Sequence, residues 1–466
     1  MRALSEGTQW TESETLPDQA KLPDALRSLE SEVGTVSEAG QHGVPEGDHS
    51  LRMTFSRPYM MHGSIGPSCA LAHMDGDQLT VWTHTQGVYP DRKAIAEMLG
   101  MDEAKVRAVH VEGSGCYGHN GADDAAADAA LIATKFPGRP VRVQWMREQE
   151  NGWEPYGPAM VMDIAGRVDE QGRISHWTYD LWSNTHSTRP GPAGALIAGR
   201  LMAKAFQPEE PKLQISPNGS GDRNADPYYT IPNKLVQWHF LKEMPLRVSA
   251  LRALGAYANV FALESFMDEL AILAGTDPVE FRLRHLEDPR ARDVVERAAQ
   301  EANWSSDPLP PGRGRGFAFA RYKNHAAYLA LALTLEVEPE TGRVRVRNVI
   351  AAIDSGEAVS LDGIRNQTQG GIMQSLSWTL YEQVTFDRTR VTSIDWASYP
   401  MLRFTSVPDS IEVHVMDRPG EPFLGTGEAA QGPTPAAVGN AIRNATGVRM
   451  VNLPLSPDRL QAALNA

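Results

Sequence analysis

Cysteine is scarce in this sequence. Only two occur in 466 residues, Cys69 and Cys116, far apart and neither in a CxxC pair. A disulfide framework is therefore not expected. An iron–sulfur cluster wants about four thiolates, so this chain cannot ligate one alone. The thirteen histidines form no HExxH and no CxxC…H spacing, and no metal site made of protein ligands is expected. Positive charge is also short, with 44 Lys and Arg against 58 Asp and Glu and a formal charge of −14. Binding a nucleic-acid backbone needs a basic face. The balance argues against nucleic acid, though not against a basic cleft for a small anion. No apolar run reaches the ~18 residues of a membrane-spanning helix. The start, MRALSEGTQWTESETLPDQAK, lacks the apolar core of a signal peptide. It is polar and irregular, and reads like the middle of something. Low-complexity tracts and long repeats are missing too.

What remains is the composition of a soluble globular protein, 41% hydrophobic and 22% charged. The length predicts two or three domains. Residues 1–50 read as a polar linker or extension, with two short amphipathic pieces around KLPDALRSLESEV. From Leu51 the texture changes. LRMTFSRPYMMHGS and QLTVWTHTQG alternate like strands. DRKAIAEMLG predicts a helix stopped by Gly100, KVRAVHVEG a strand, ADDAAADAALIATKF a helix and PVRVQWMREQE a strand, together a βαβ-like run. YYTIPNKLVQWHF is strand-like. NVFALESFMDELAILAG repeats apolar residues at helical spacing and stops at Gly275. Asp277 is placed to cap the next helix, with Glu280 completing a capping box. WSSDPLPPGRGRG, residues 304–316, is a Pro/Gly linker between a first domain, 51–303, and a second, 317–466. Beyond it come two strands joined by a hairpin at PETG, then a helix from about Gly363 to Leu380.

Several loops combine glycines with one polar group at a strand–helix junction. GSGCYG, Gly113 to Gly118, fits the GxGxxG dinucleotide fingerprint and sits between a strand and a helix. Three acids, Asp123, Asp124 and Asp128, crowd the start of that helix, where a pyrophosphate would meet like charge. A dinucleotide site and a plain tight turn both stay open on these residues alone. LRALGAYANVF places Arg252 before a glycine-bearing turn into a long helix. GIRNQTQGGIMQ offers Gln367, Gln369 and Gln374 beside paired glycines. In a helix, Gln367 and Gln374 lie about two turns apart on one face. An amide both donates and accepts, which suits a ring edge such as a pterin's, and equally suits a solvated helix face. LGTGEAAQGPTP puts one carboxylate, Glu428, on a glycine-rich bend leading into a helix. It is either a solvated loop acid or a positioned base. Taken together, the loops suggest a large phosphate-bearing cofactor gripped at many points.

Five stretches in this order resemble a known family: THTQG; EGSGCYGHNGADDAAADAA with GRPVRVQWMRE; LRALGAYANVFALESFMDELA; IRNQTQGGIMQ; and GTGEAAQGPTPAAVGNAIRNATG. They are similar to the molybdenum-binding large subunit of the xanthine dehydrogenase/aldehyde oxidase family, in the bacterial branch of isoquinoline oxidoreductase and nicotinate dehydrogenase. MMHGSIGPSC and WEPYGPAMVMD point to the nicotinate type. The resemblance runs from about Lys21 to the C-terminus. It implies an α+β fold with two molybdopterin-binding domains. It also implies a molybdenum held by a pterin dithiolene, in bacteria usually the cytosine dinucleotide form. The family draws oxygen from water, with a glutamate as base, and hydroxylates an electron-poor carbon beside nitrogen.

The matching glutamate is Glu428, beside Gly427. By the same match Gln86, Gly113, Gly115, Cys116, Gln367 and Gly427 contact the cofactor, and Arg252, Asn120 and Leu254 face substrate. Purine hydroxylases carry a glutamate where this chain has Asn120, and stacking aromatics where it has Cys116 and Leu254, so purines are expected to be poor substrates. The resemblance implies a molybdopterin-dependent oxidoreductase that works in a complex, with iron–sulfur clusters in a partner subunit. Relatives of this type carry an upstream domain with an MGQG-like motif. The expectation is a large chain split between two genes, with a second chain supplying that segment, or a truncated copy. A cytoplasmic bacterial location is expected, with membrane association through partners left open. An aldehyde oxidoreductase and an inactive, partner-binding paralogue are the alternatives.

Overall fold

The computed structural model describes residues 7, 12–188, 190–215 and 220–466. In chain order it forms α1 (Leu22–Ser28), β1 (Ser31–Ala39), β2 (Ser50–Arg57), β3 (Cys69–Asp75), β4 (Gln78–Thr83), α2 (Val88–Leu99), β5 (Val106–His110), α3 (Ala122–Ala133), β6 (Pro140–Gln144), α4 (Arg147–Trp153), β7 (Met160–Val168), β8 (Ile174–Ser183), α5 (Ile197–Leu201) and β9 (Asn233–Leu241). There follow α6 (Ala256–Leu273), α7 (Pro278–Arg284), α8 (Pro289–Glu301), β10 (Arg313–Arg321), β11 (Tyr328–Glu338), β12 (Arg343–Asp354), α9 (Leu361–Leu380), β13 (Ser410–Val415), α10 (Pro433–Thr446) and α11 (Pro457–Leu464).

The strands make three sheets. One has the order β1-β9-β8-β7-β2, a second β5-β4-β3-β6, and a third β10-β11-β12-β13. The second sheet is an insertion between β2 and β7. Its β4–α2–β5 unit pairs in parallel, as the βαβ-like pattern predicts. Gly100 ends α2 in the left-handed region, at φ 64°. Alanines of α3 sit on this sheet and give the insertion its own small core.

The first and third sheets share one core. Helix α6 lies between them, against β2 and β7 on one side and α10 and β10 on the other. Its residues from Ala256 to Asp268 are all buried. A helix apolar on every side belongs inside a protein. Its one buried glutamate there, Glu264, pairs with the buried Arg282 at 2.7 Å and accepts from Phe319 N at 2.8 Å, which ties α6 to β10.

Two sequence boundaries need correction. Residues 22–39 are not an extension, since β1 pairs antiparallel with β9 along its length. The half-buried pattern of β1 hides it, because few of its residues are apolar. Nor is the GRGRG stretch a linker. Arg313–Gly316 begins β10, and its glycines serve contact. A Cβ on Gly314 would stand 2.0 Å from Ala441 O, and one on Gly316 2.0 Å from Ala437 O. The glycines let α10 lie directly on the sheet. Asp277 caps α7 through Val279 N and Glu280 N as expected, but Glu280 pairs with Arg284 rather than closing the box. Among the described residues no helix is long and apolar enough to cross a membrane.

Candidate functional site

A cavity of about 960 Å³ opens where the loop after β5, the loop before α6, helix α9 and the loop before α10 meet. Gln86, Gly113, Gly115, Cys116, Arg252, Leu254, Gln367, Gly427 and Glu428 all line it. Nine of the ten residues singled out in the sequence thus come together from five separate stretches. Asn120 does not join them. It is buried behind the wall, where Nδ2 donates to Ser64 Oγ and Glu150 Oε1, each at 3.2 Å, and Oδ1 accepts from Ala122 N at 3.1 Å. Its amide braces the start of α3 and does not line the cavity.

Glu428 is not a solvated loop acid. Its Oε1 accepts from Ala253 N at 2.8 Å, and its Oε2 from the Tyr322 hydroxyl at 2.7 Å. A carboxylate has about four lone-pair sites, so acceptor capacity remains on the cavity side. A fixed carboxylate facing a cavity can receive a proton from a group bound there.

Arg252 braces the same corner. Its Nε donates to Gly427 O at 2.8 Å, Nη1 to Gln374 Oε1 and Nη2 to Gln367 Oε1, both at 3.0 Å; Nη2 also bonds Gly427 O. Burial lowers its pKa and the nearby Glu428 charge opposes that. Expected to face substrate, Arg252 does line the cavity, but its guanidinium is turned on the wall. The guanidinium fork is spent on the wall itself. Gln367 and Gln374 do share one face of α9, and their oxygens face Arg252, which leaves the amide nitrogens as donors. Gln369 turns away, to Ile411 O at 3.2 Å.

The glycine loop serves contact rather than a phosphate. A Cβ on Gly113 would lie 2.6 Å from the His84 ring, and one on Gly118 1.8 Å from Ala250 O. The start of α3 is closed by its own acids: Asp123 binds His119 Nδ1 at 2.9 Å and Thr85 Oγ1, and Asp124 pairs with Arg247 at 2.6 Å. No pyrophosphate fits there. Gln86 accepts from Gly118 N at 2.8 Å through Oε1, so its NH₂ group is left for the cavity. Burial, then the charge of Asp123, pushes the Cys116 thiol up to about 12. It donates to His84 O at 2.9 Å and is an inert wall residue.

Two glycines have no such reason. A Cβ on Gly370 would meet nothing within 4 Å, and one on Gly427 would meet only Gln367 Oε1 at 3.9 Å. Both line the cavity. The protein itself would tolerate a side chain at either position. Their bareness leaves space for an occupant lying close to the backbone.

The sequence reading missed His62, Glu382, Ala253 and Tyr322. Both ring nitrogens of His62 have oxygen partners in the wall, Glu154 Oε2 at 3.0 Å and Ala250 O at 2.8 Å. Burial lowers the His62 pKa, but the charge and hydrogen bond of Glu154, with the Ala250 carbonyl and the Glu150 charge, together raise it. Backbone geometry marks the same region. Among the described residues, seven non-glycines have positive φ. Tyr117 and Leu254 line the cavity, Ala253 holds Glu428, Lys323 and Asn324 follow Tyr322, and Asn224 binds that turn; only Asn303 lies elsewhere. Each such residue costs on the order of 1 kcal/mol or more, and strain of this kind collects at functional sites. The asparagines are the only signal in the sequence that could have pointed there.

Among the described residues no group of three or more His, Cys, Asp or Glu side chains could hold a metal ion. Models of the molybdopterin cofactor-binding domain match residues 22–209 and 254–408. One subunit of nicotinate dehydrogenase from Pseudomonas putida is 38% identical over 96% of this chain, and the beta subunit of isoquinoline 1-oxidoreductase from Brevundimonas diminuta 27% over 83%. The chain spans 38% and 47% of those relatives' lengths. Aldehyde oxidoreductase from Desulfovibrio gigas superposes with a TM-score of 0.74 at 17% identity, covering 93% of this chain and 63% of that one. Quinoline 2-oxidoreductase from Pseudomonas putida 86 does so with 0.74 at 14%, covering 100% and 81%. These superpositions show the shared α+β fold, and the family models give its two molybdopterin cofactor-binding domains. On the matched domains and the nicotinate dehydrogenase relative, the chain belongs to the molybdenum-binding subunits of the xanthine dehydrogenase/aldehyde oxidase family.

Proposed function

We propose that this chain is the base-bearing part of a molybdenum hydroxylase. Its substrate is an electron-poor N-heteroaromatic ring of the nicotinate type, and the oxygen comes from water. The observation that carries the reading is Glu428, fixed at the cavity wall by Ala253 N and the Tyr322 hydroxyl. The wall also fits a molybdopterin. Gly370 and Gly427 leave bare backbone beside the space, and the NH₂ groups of Gln86, Gln367 and Gln374, whose oxygens the protein already engages, supply donors to the acceptors of a pterin edge. When bound, that group supplies the two-electron redox chemistry. The chain's own residues do the rest. Gln86 and Gln367 orient the ligand, and Arg252 holds Gly427 and so the base loop. Leu254 and Cys116 give substrate an apolar, non-stacking wall, which disfavours purines. Glu428 takes the proton of the attacking oxygen.

The cytosine dinucleotide form of the cofactor and an iron–sulfur partner subunit complete the reading. So does a cytoplasmic site of action. The partner follows from chemistry, since two cysteines cannot carry electrons away through a cluster. The test is Glu428→Gln in the assembled complex. The amide keeps shape but cannot take the proton, and base catalysis is worth ~10²–10⁴ in rate. The expected result is a fall in kcat of that size at equal molybdenum content. Near wild-type turnover with full metal loading would remove Glu428 from the mechanism. Assays on nicotinate-like rings and on aromatic aldehydes separate this reading from an aldehyde oxidoreductase.

A further inference from the structure

Tyr322 sits at the turn between β10 and β11, and the chain spends strain to keep it there. Lys323 and Asn324, which follow it, are both left-handed, at φ 57° and 59°. Asn224, itself at φ 60°, clamps the turn. Its Oδ1 accepts from Lys323 N at 2.8 Å, and its Nδ2 donates to Arg321 O at 2.8 Å and Asn324 Oδ1 at 2.9 Å. The ring of Tyr322 is buried, with its hydroxyl inward. That hydroxyl accepts from Arg223 Nη1 at 2.7 Å. With its lone pair engaged by a cation, its own hydrogen is directed to Glu428 Oε2, also at 2.7 Å. The Arg223 guanidinium further lies over the ring, 5.6 Å from its centre. A buried tyrosine needs one polar partner to be satisfied. This one has two, in line, running from a cation to the candidate base.

We infer that Tyr322, held by Arg223, is the positioning residue of Glu428: it fixes the plane of the carboxylate and supplies a cation-backed donor to its ionised form. The inference rests on Glu428 being the base. Burial first, then the Glu428 charge, holds the tyrosine pKa well above its ordinary value, so the hydroxyl acts as a donor and not as a second base.

The experiment compares Tyr322→Phe, Glu428→Gln and the double variant with the wild-type complex. A hydrogen bond to a charged group is worth enough that its loss lowers kcat roughly 10- to 100-fold, with KM changed less than about threefold. The acidic limb of the pH–rate profile moves to higher pH, because a donor to the ionised carboxylate is gone. In the Glu428→Gln background Tyr322→Phe adds no further loss. A second readout needs no turnover. Infrared difference titration of the full chain without cofactor, with the Glu428 band assigned by its loss in Glu428→Gln, shows the same upward shift in Tyr322→Phe. Arg223→Gln, which keeps the tyrosine, gives a smaller shift in the same direction and serves if Tyr322→Phe does not fold. A rate loss with the profile and the infrared band unmoved overturns the inference and leaves the base reading standing. An active Glu428→Gln variant overturns the base reading itself.

Discussion

Helix α9 carries adjacent glycines with opposite duties, and one substitution separates them. Gly370 sits in the helix interior with nothing within 4 Å of where a Cβ would be, on the cavity side. Glycine there costs ~0.5–1 kcal/mol relative to alanine, through the freedom of the unfolded chain. Gly370→Ala should therefore stabilise the cofactor-free protein by that amount. With an unfolding entropy of ~2 cal/mol/K per residue, a chain of this length gains only about 0.5–1 °C in Tm. Chemical denaturation is the better measurement. The same methyl group intrudes on the space assigned to the cofactor. Overpacking a filled site costs ~1–3 kcal/mol, a loss of roughly 5- to 150-fold in retention. Molybdenum and oxidised-pterin content per chain, measured on the purified complex, should fall while apo stability rises. Gly371→Ala is the control. Its Cβ would press on Ala430 Cβ at 3.1 Å and on the Gln431 amide, so it should lower stability in both forms. Full cofactor content in Gly370→Ala, or a destabilised apo form, would refute the assignment of this wall.

Two further outcomes follow from the wall. Arg252→Met should lower kcat by about the same factor on a carboxylated ring and on its uncharged amide, because the guanidinium binds Gly427, Gln367 and Gln374 rather than substrate; steady-state kinetics on the pair checks this, and a KM effect confined to the carboxylate would restore a substrate role. Glu382, buried with Ser377 Oγ on one oxygen, has its pKa pushed up to about 7 by that burial. The folded protein then keeps a proton that the unfolded chain releases above about 4.5, so stability falls as pH rises across that window. Glu382→Gln should remove this slope. Comparing denaturant midpoints near about pH 5 and about pH 8, the wild type should lose more than the variant, by on the order of 1–3 kcal/mol.

Much of this could be read from the chain, and the reasons are local. The βαβ unit of the insertion shows itself because α2 and α3 are amphipathic or alanine-rich and end cleanly, at Gly100 in one case. The β11–β12 hairpin is marked by its PETG turn. Strand β7 escapes because most of it is buried on both faces, so nothing alternates. Strand β1 escapes because it is polar and gains its place only by pairing with β9. At the site, the glycine loops and the lone acid mark segments that meet at one cavity. What each polar group touches could not be read. The fork of Arg252 looked available for substrate until Gly427, 175 residues away, was seen to occupy it. Tyr322 carries no motif at all, and its meaning comes from a turn strained by its neighbours.

Glu428 takes its two hydrogen bonds from residues 175 and 106 positions away. In the role proposed for Glu428, the GTGE bend is thus only one third of a device. Copied into another scaffold, it would carry the acid without either donor. Gene duplication or recombination can move the bend freely and still move no base. Inheritance of the activity then requires three distant stretches to be passed on, and altered, together. A substitution that looks harmless near Ala253 or Asn324 is, for descent, a change in the proposed base.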